Sequence, residues 1–400
     1  MEKTITKNET IFLEHLEDIL NIDMSKKDGL KIFLKHPESP TKSMLDILDS
    51  IYKSFDKIEE IHIPQGGTWF TTEDGKLILF QKSNKTVKLV IALKSQENIV
   101  IPEGVITVDQ SAFVDKSHIR AIFLPDSLQE IEAWTFSDCE NLENVRFPKS
   151  LRKIGNYAFQ DCSNLKKAIL SGKMEYIGSN AFRGCASLSR IGLPDELPII
   201  GDRAFQGCTN LKEVTLPKSL RQIGYMSFCD TKIFHVNNSV SGLIGAIENG
   251  WDPEGICRVV LNEKTLIFPK KMTICGRNRI VNALKDPESM KPEINSFHDL
   301  AYTTECKQQI ILEAFLLNHD EEFRKLLRKS GPSLIQRTAE KGENDFLDLI
   351  RNFRNDNILT PNMIKKGLGI AEEKGWTSSS AELLQLTEKK EKKRKRSFSL

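Results

Sequence analysis

The chain has 400 residues, 39% of them hydrophobic and 28% charged, which is typical of a folded protein with two or three structural units and excludes a disordered chain. The formal net charge is +2, and residues 388–400 alone hold seven basic and two acidic side chains, so the rest is not basic enough to attract nucleic acid in general. No apolar run approaches the roughly 18 residues of a membrane helix and the N-terminus lacks an apolar signal segment, which predicts a cytoplasmic protein with reduced cysteines.

Residues 1–57 are predicted to form a helical N-terminal cap. Their apolar residues recur at helical spacing in two groups: Phe12, Leu16, Ile19 and Leu20, and then Met44, Leu48, Ile51 and Phe55. Because the residues that follow are repetitive, the expected role of these helices is to cover the open end of the repeat core. A helix that binds a partner is the alternative.

A 23-residue period dominates residues 99–237. Three residue types recur with this spacing: Phe113, Phe136, Phe159, Phe182, Phe205 and Phe228; Cys139, Cys162, Cys185 and Cys208; and Gly155, Gly178, Gly201 and Gly224. An aliphatic column and a proline column keep the same period. One unit of this size cannot bury its apolar side chains alone, so we expect the units to stack into a solenoid with one continuous core.

Within each unit the pattern L-x-x-V-x-L, as in residues 142–147, predicts one short strand that a proline ends. The glycine is expected to turn the chain by adopting a positive φ, and the segment Ala-Phe-x-x-Cys to return as a tight turn. The cysteines, one in each layer, are interpreted as small buried apolar side chains. A line of single thiols does not provide the tetrahedral ligand set that zinc requires.

The segments PKSLRKIGNYAFQDCSNLKKAIL (residues 148–170) and LPKSLRQIGYMSFCDTKIFHV (residues 216–236) resemble the BspA-type, or treponemal-type, leucine-rich repeat. The resemblance covers residues 99–236 and implies an α+β protein built on a leucine-rich-repeat solenoid. It also implies that residues 58–98, with Ile58, Ile61 and Ile63 at strand spacing and then GTWFTTEDGKLILF, are a degenerate repeat strand and a β-hairpin island. Residues 238–276, with GICRVVLNEKTLIFP, would be a C-terminal hairpin island.

The strand pattern ends after residue 276. Pro287 and Pro292 indicate a linker over residues 277–300, and residues 301–387 show the apolar spacing of helices. Gly342 and Gly375 suit helix C-termini and lie 33 residues apart, which is the ankyrin period, although the ankyrin signature T-P-L-H is absent. Residues 359–386 resemble the ankyrin-like helical domain that follows BspA-type repeats in some bacterial proteins. An all-α C-terminal domain is therefore expected.

Residues 388–400 are predicted to be a disordered basic tail, because a block of like charges cannot pack. Its cations are Lys389, Lys390, Lys392, Lys393, Arg394, Lys395 and Arg396. The tail is either a solubilising end or a weak contact for nucleic acid or an anionic surface. The second interpretation gives the alternative function of the protein, a nucleic-acid-associated or nuclear factor.

The sequence contains no common catalytic or cofactor-binding motif. It has no G-x-x-x-x-G-K-[ST] phosphate loop, no G-x-G-x-x-G dinucleotide turn and no G-x-S-x-G nucleophile elbow. Its seven histidines form no H-x-x-H or H-E-x-x-H pair that would suit a metal. We therefore predict that the protein is not an enzyme and needs no cofactor or metal.

The outward positions of the repeat strands are the candidate binding site. They form two columns: Ala121, Asn144, Lys167, Arg190 and Glu213, and Phe123, Arg146, Ile169, Gly192 and Thr215. These residues differ from unit to unit, whereas the inward columns do not. Arg146, Lys167 and Arg190 are predicted to form a diagonal basic strip bordered by two apolar residues, which suits an acidic protein segment unless the side chains are merely solvated. The sequence thus favours a non-catalytic protein–protein interaction scaffold.

Overall fold

A computed structural model describes residues 6–7, 9–24, 27–35, 58–64, 69–74, 76–81, 87–93, 97–237, 242–248, 255–261, 264–286, 294–301 and 303–397. The chain divides into two compact units, Met1–Glu248 and Asn249–Leu400. The repeats lie in the first unit, and the helices expected after residue 301 lie in the second. The predicted order, a β-solenoid followed by a helical region, is confirmed.

Each 23-residue step of the first unit adds one strand to a parallel ladder. The strands pair within three groups: Asn98–Val100, Ala121–Phe123 and Asn144–Arg146; Lys167–Ile169 and Arg190–Gly192; and Glu213–Thr215 and Ile233–Val236. Equivalent positions of successive units are neighbours, as Ala121 and Asn144 are. The middle residues, such as Ile122 and Val145, are buried, and the residues beside them point outward because strand side chains alternate.

Each repeat also carries a second strand, which the sequence pattern did not predict. These strands are Glu130–Ile131, Lys153–Ile154, Tyr176–Ile177, Ile199–Ile200 and Gln222–Ile223. The second ladder continues through Val105–Val108 and Val87–Ala92 into Leu77–Gln81 and Trp69–Thr71, which form the expected antiparallel hairpin. The prediction of one strand per unit is wrong because a two-residue strand leaves no alternating pattern in the sequence.

The phenylalanine column forms the centre of the solenoid core. Phe159 is fully buried, and its ring centroid lies 5.0 Å from that of Phe136 and 5.2 Å from that of Phe182. The amide nitrogen of Phe159 donates a 2.7 Å hydrogen bond to the carbonyl oxygen of Ala181 in the next unit. The turn segments therefore add to the backbone pairing between layers and give buried backbone amides such as that of Phe159 a partner.

The glycine column has a different cause from the one predicted. The φ angles of its members are not positive. A Cβ on Gly178 would lie 2.5 Å from the amide nitrogen of Asn156 and 2.5 Å from the carbonyl carbon of Gly155. Glycine is needed because successive turns approach backbone to backbone at this position. The positive φ falls two residues after the glycine position, as at Tyr157.

The described part of the N-terminal cap is built mainly of strands, so the prediction of helices is wrong there. The strands are Thr6–Lys7, Thr10–Leu13, Lys27–Asp28 and Leu30–Leu34. Thr10–Leu13 and Leu30–Leu34 form a parallel sheet with Ile58–His62, the strand expected after the cap, and Leu16–Asn21 is a 3-10 helix. Phe12 and Leu20 are 65% and 42% exposed, so no continuous apolar helix face exists. Pairing between strands overrides a short helical periodicity, and the second predicted group, residues 44–55, lies outside the described residues.

A short helix, α1 (Leu243–Ile247), ends the first unit. The amide nitrogen of Phe228 donates a 3.0 Å hydrogen bond to the carbonyl oxygen of Ala246, just as that of Phe205 donates to Ser227 one repeat earlier. Helix α1 thus takes the place of a further turn segment and provides a hydrogen-bond acceptor for the last repeat. Residues 242–248, predicted to belong to a C-terminal hairpin island, complete the solenoid instead.

The second unit begins with the expected hairpin, Ile256–Leu261 and Lys264–Pro269, which is antiparallel. Ile294–Ser296 pairs in parallel with its second strand, and helix α2 spans Ile274–Lys285. Residues 277–300 are therefore not a linker where they are described. The hydroxyl of Thr273 caps the N-terminus of α2 by accepting a hydrogen bond from the amide of Gly276. The helix therefore begins well before Pro287 and Pro292, the residues that indicated a linker.

Helices α3 to α7 complete the second unit and confirm the helical region. They are Thr304–Asn318, Glu321–Lys341, Glu343–Asn355, Pro361–Glu373 and Thr377–Ser397. They enclose a core that includes Phe315, Phe346 and Phe353. Gly342 and Gly375 lie at the ends of α4 and α6, as predicted, and both have positive φ. Whether this region is related to ankyrin repeats stays a prediction.

The backbone of residues 388–397 continues helix α7, so the prediction of disorder from residue 388 is wrong up to Ser397. Lysine, arginine and glutamate are strong helix formers, and this propensity favours propagation of a helix that already exists. The side chains from residue 388 onward lie outside the described residues. The predicted contacts of the basic tail therefore stay predictions.

Candidate functional site

The outward side chains of the first ladder form what we call the strand face. The ten predicted site residues all lie on it: Ala121, Asn144, Lys167, Arg190 and Glu213 in one column, and Phe123, Arg146, Ile169, Gly192 and Thr215 in the other. Eight are exposed, and Ala121 and Gly192 are half-buried. The structure brings these residues together, whereas partner binding by them stays a prediction.

Three cations form the basic strip of this face, namely Arg146, Lys167 and Arg190. Lys167 and Arg190 are direct neighbours in one column, and Arg146 belongs to the other column. Among the described residues, no carboxylate lies within ion-pair distance of these three side chains. The neighbouring cations differ, since Lys166 contacts Glu143 at 2.6 Å. The basic strip is thus a positive surface that the fold does not neutralise.

Apolar side chains border the basic strip in the second column. Phe123 is 51% exposed and Ile169 is 46% exposed, although both are large hydrophobic residues. The sequence analysis missed Val100, which is paired in register with Phe123 and is 69% exposed. Extending the column by one 23-residue step would have found it. An exposed aromatic and aliphatic edge beside unpaired cations is the composition that protein interfaces favour.

The far end of the strand face has a different character. The carboxylate of Glu213 contacts the imidazole of His235, which follows Thr215 in the second column. Gly192 lies against Ile169, since a Cβ at this glycine would be 3.2 Å from the Cγ2 of Ile169. The predicted residues after Arg190 therefore supply a paired acid and a shallow surface, and they do not extend the positive charge.

The repeats match a known family. The sequence pattern of the BspA type leucine-rich repeat region matches residues 92–200 and 175–244, in six copies. These residues contain the repeat strands of both ladders and the closing helix α1. The solenoid is a BspA-type leucine-rich-repeat region. The resemblance seen in the sequence is confirmed, and the BspA-type region is the part of the chain that carries the strand face.

Solved structures of bacterial leucine-rich-repeat proteins resemble the chain at low identity. A leucine-rich-repeat protein of T. pallidum is 21% identical, with 44% of this chain and 78% of that chain covered and a TM-score of 0.34. A leucine-rich cell surface protein of Faecalibacterium prausnitzii is 18% identical, with 51% and 62% covered and a TM-score of 0.37. A leucine-rich-repeat protein of Bacteroides ovatus is 21% identical, with 44% and 64% covered and a TM-score of 0.31. No curated protein sequence matches the chain.

The cysteine column of the BspA-type region is buried, and its thiols are expected to be unreactive. Cys139, Cys162, Cys185 and Cys208 are fully buried. Burial raises the pKa of the Cys139 thiol to about 12 and raises the pKa of Cys162 well above its ordinary value. A thiol that stays protonated is a poor nucleophile and a poor metal ligand. The described part of the chain holds no group of three or more His, Cys, Asp or Glu side chains placed to bind a metal ion.

The glycine positions of the first two repeats hold Asp109 and Glu132, which form a half-buried charge cluster with Lys88. Lys88 Nζ lies 2.6 Å from Asp109 Oδ1 and 2.9 Å from Glu132 Oε1. Burial raises the pKa of Asp109, and the hydrogen bond that its carboxyl donates to Glu132 raises it further. Burial acts to raise the pKa of Glu132, but the hydrogen bonds from Asp109 and from the Lys88 ammonium outweigh it and lower this pKa. Since Lys88 belongs to the hairpin island, the cluster ties that island to the repeats. We assign it a structural role.

The second unit offers a charged cleft of about 790 Å³ between helices α3, α4 and α6. One of its cations, Arg337, contacts Glu305 at 2.6 Å and Gln308 at 3.0 Å. The other charged residues that line the cleft are Glu340, Lys341 and Lys366, so the cleft carries charges of both signs. Among the helices of the described residues, none is both long and apolar enough to cross a bilayer.

Proposed function

We propose that the protein is a non-catalytic interaction scaffold and that the strand face binds an acidic segment of a protein partner. The observation that carries the proposal is the basic strip, in which three exposed cations have no ion-pair partner among the described residues, while the neighbouring Arg120 and Lys166 each have one. Cations that are not paired within the fold keep their full charge for a partner.

The apolar border supports a protein rather than a small anion as the partner. Phe123 and Ile169 flank Arg146 in the second column and are about half exposed. Aromatic and arginine side chains dominate the energetics of protein interfaces, because they bury a large area and form directed hydrogen bonds. A free anion would use the charges and leave the apolar border hydrated.

The test is binding of a fluorescein-labelled peptide, eight residues of alternating glutamate and leucine, to the full chain by fluorescence anisotropy. We expect Arg146→Glu with Arg190→Glu to weaken binding at least tenfold, or about 1.4 kcal/mol. The matched control is Arg183→Glu, an exposed arginine in the turn between Phe182 and Cys185, away from the strands. Equal binding by the double variant and the control would remove the basic strip as the site.

Deleting residues 388–400 separates this proposal from a role for the basic tail. The deletion should leave peptide binding within twofold, because the strand face is intact. If the deletion variant no longer binds the peptide, and binding by the full chain falls steeply with salt concentration, the tail provides the affinity. That result would contradict the scaffold proposal as stated.

A further inference from the structure

A cleft of about 550 Å³ opens in the first unit between the hairpin island and the first repeat strands. Its floor is apolar and includes Leu77, Leu79 and Val105, all of them buried. Val100 lines the same cleft and is 69% exposed, so it forms the side of the cleft that meets solvent. A volume of this size accommodates one large apolar side chain and its backbone.

The cleft is continuous with the strand face. Val100 is paired in register with Phe123, and Phe123 is paired in register with Arg146. A ligand that leaves the cleft over Val100 therefore meets the exposed ring of Phe123 and then the basic strip, one rung of the ladder at a time. Val100, Phe123 and Ile169 are three of the exposed large hydrophobic side chains of the described residues.

The rim of the cleft carries charge of the opposite sign to the basic strip. Its three carboxylates, on Glu73, Asp74 and Glu103, are exposed. Within the described ranges no lysine or arginine lies within ion-pair distance of them. Asp74 accepts hydrogen bonds from Thr72 and from the amide of Lys76, and Glu103 accepts one from the amide of Asp126, so both are fixed in place. The binding surface is thus negative at the cleft and positive along the strip.

We infer that the partner segment of the strand face is an extended peptide with two unlike ends, an apolar side chain next to a basic residue for the cleft, and acidic residues for the basic strip. This inference rests on the proposed function and specifies its ligand. An apolar side chain fills the cleft while its basic neighbour contacts the carboxylates of the rim. The acidic end follows the ladder to Lys167 and Arg190.

The ladder fixes the spacing of the two ends. The strand of Arg190 lies four repeat steps beyond that of Val100, or roughly 19 Å at about 4.8 Å for each step. An extended peptide advances about 3.3 Å per residue, so roughly six residues separate the apolar anchor from the last acidic contact. A shorter segment cannot engage both ends at once.

The experiment compares labelled synthetic peptides on the full chain by fluorescence anisotropy. The first has a lysine-leucine-lysine end, a spacer of two serines and an end of three glutamates, so that its last glutamate is about six residues from the leucine, and it is made in both chain directions. The second replaces the lysine-leucine-lysine end by three serines, and the third removes the spacer and two of the glutamates. We expect one direction of the first peptide to bind at least tenfold tighter than the second and the third.

Glu73→Lys is the discriminating variant, because Glu73 is exposed and makes no hydrogen bond with a described residue. It should remove most of the advantage of the two-ended peptide and leave the all-acidic end bound as before. Glu372→Lys, the same charge reversal on an exposed glutamate of the second unit, is the control.

The two proposals fail in different ways. Equal binding of the first and second peptides, with no effect of Glu73→Lys, would overturn the cleft as an anchor site and leave the strand face intact. Binding of the two-ended peptide that is insensitive to Arg146→Glu with Arg190→Glu would overturn the basic strip. If no peptide binds, both the proposed function and this inference are wrong for an extended ligand.

Discussion

The thiol of Cys162 donates a hydrogen bond to the carbonyl oxygen of Phe136, with 3.2 Å between Sγ and oxygen. The same contact recurs from Cys139 to Phe113 and from Cys185 to Phe159. Each cysteine thus satisfies a buried carbonyl group of the preceding unit, while the amide of its own phenylalanine pairs with the following unit. A small side chain with one weak donor suits this position. An apolar residue would remove this second donor and leave the carbonyl of Phe136 with the longer bond from the amide of Cys139, at 3.4 Å.

The first prediction concerns thiol reactivity. Of the eight cysteines seven are buried, and Cys275 is exposed. We expect a native chain to show one fast-reacting thiol with an aromatic disulfide reagent at neutral pH, because buried thiols are both inaccessible and protonated. The absorbance of the released thiolate counts the reacted groups. Cys275→Ser should abolish the fast phase, and all remaining thiols should react after unfolding.

The second prediction concerns alkaline pH. Burial raises the pKa of Cys162 in the folded chain well above its ordinary value, whereas the unfolded thiol titrates near pH 8.5. Below pH 8.5 both states are protonated, and above it only the unfolded state loses the proton, so this thiol lowers the free energy of unfolding as pH rises. The expected slope is about 1.4 kcal/mol per pH unit for each such thiol.

Urea unfolding of the reduced protein between pH 7.5 and 10 measures this effect. Cys162→Ala should reduce the slope of the free energy of unfolding against pH by the contribution of one thiol. Ala158→Gly truncates a buried residue of the same turn and should lower stability equally at every pH. An unchanged slope in Cys162→Ala would show that this thiol ionises in the folded chain.

The third prediction concerns the glycine column. A Cβ at Gly178 would lie 2.5 Å from two backbone atoms of the preceding turn, and backbone cannot move aside as a side chain can. Gly178→Ala should therefore lower the free energy of unfolding by about 1–3 kcal/mol. Gly245→Ala, in helix α1 of the first compact unit, is the control, because the atom nearest to the new Cβ would be Cδ2 of Tyr225 at 3.8 Å. Equal stability of the two variants would mean that the turns separate at little cost.

The repeats could be predicted because a fixed period places equivalent residues side by side. Once Asn144 follows Ala121 by 23 residues, the register of the ladder and the outward columns are determined. The predicted reason for the glycine column, a positive φ, was wrong because a sequence shows that a Cβ is absent but not which neighbour leaves no room for it. At Gly155 and Gly178 the backbone of the preceding turn leaves no room for a Cβ.

The two ends of the solenoid could not be predicted in the same way. Phe12 and Leu16 have the spacing of a helix face, but Thr10–Leu13 pairs with Leu30–Leu34. The paired residues are 21 positions apart and do not follow the regular 23-residue period. The cleft depends on how the hairpin of Trp69–Thr71 and Leu77–Gln81 packs on the first repeat. This packing is not periodic, and no column of the sequence records it.

The last prediction separates the stability of the BspA-type region from its binding surface by the same substitution at two phenylalanines. Phe159 is fully buried between two stacked rings, so Phe159→Ala should lower the free energy of unfolding by about 3–5 kcal/mol through the lost burial and the cavity left behind. Phe123 is 51% exposed on the strand face, so Phe123→Ala should change stability by no more than about 0.5 kcal/mol. Binding of the two-ended peptide by Phe123→Ala should nevertheless weaken at least fivefold, about 1 kcal/mol, because the ring lies between the cleft and the basic strip. Denaturant unfolding and peptide anisotropy on both variants give the two quantities, and a Phe123→Ala protein that binds normally would remove this ring from the interface.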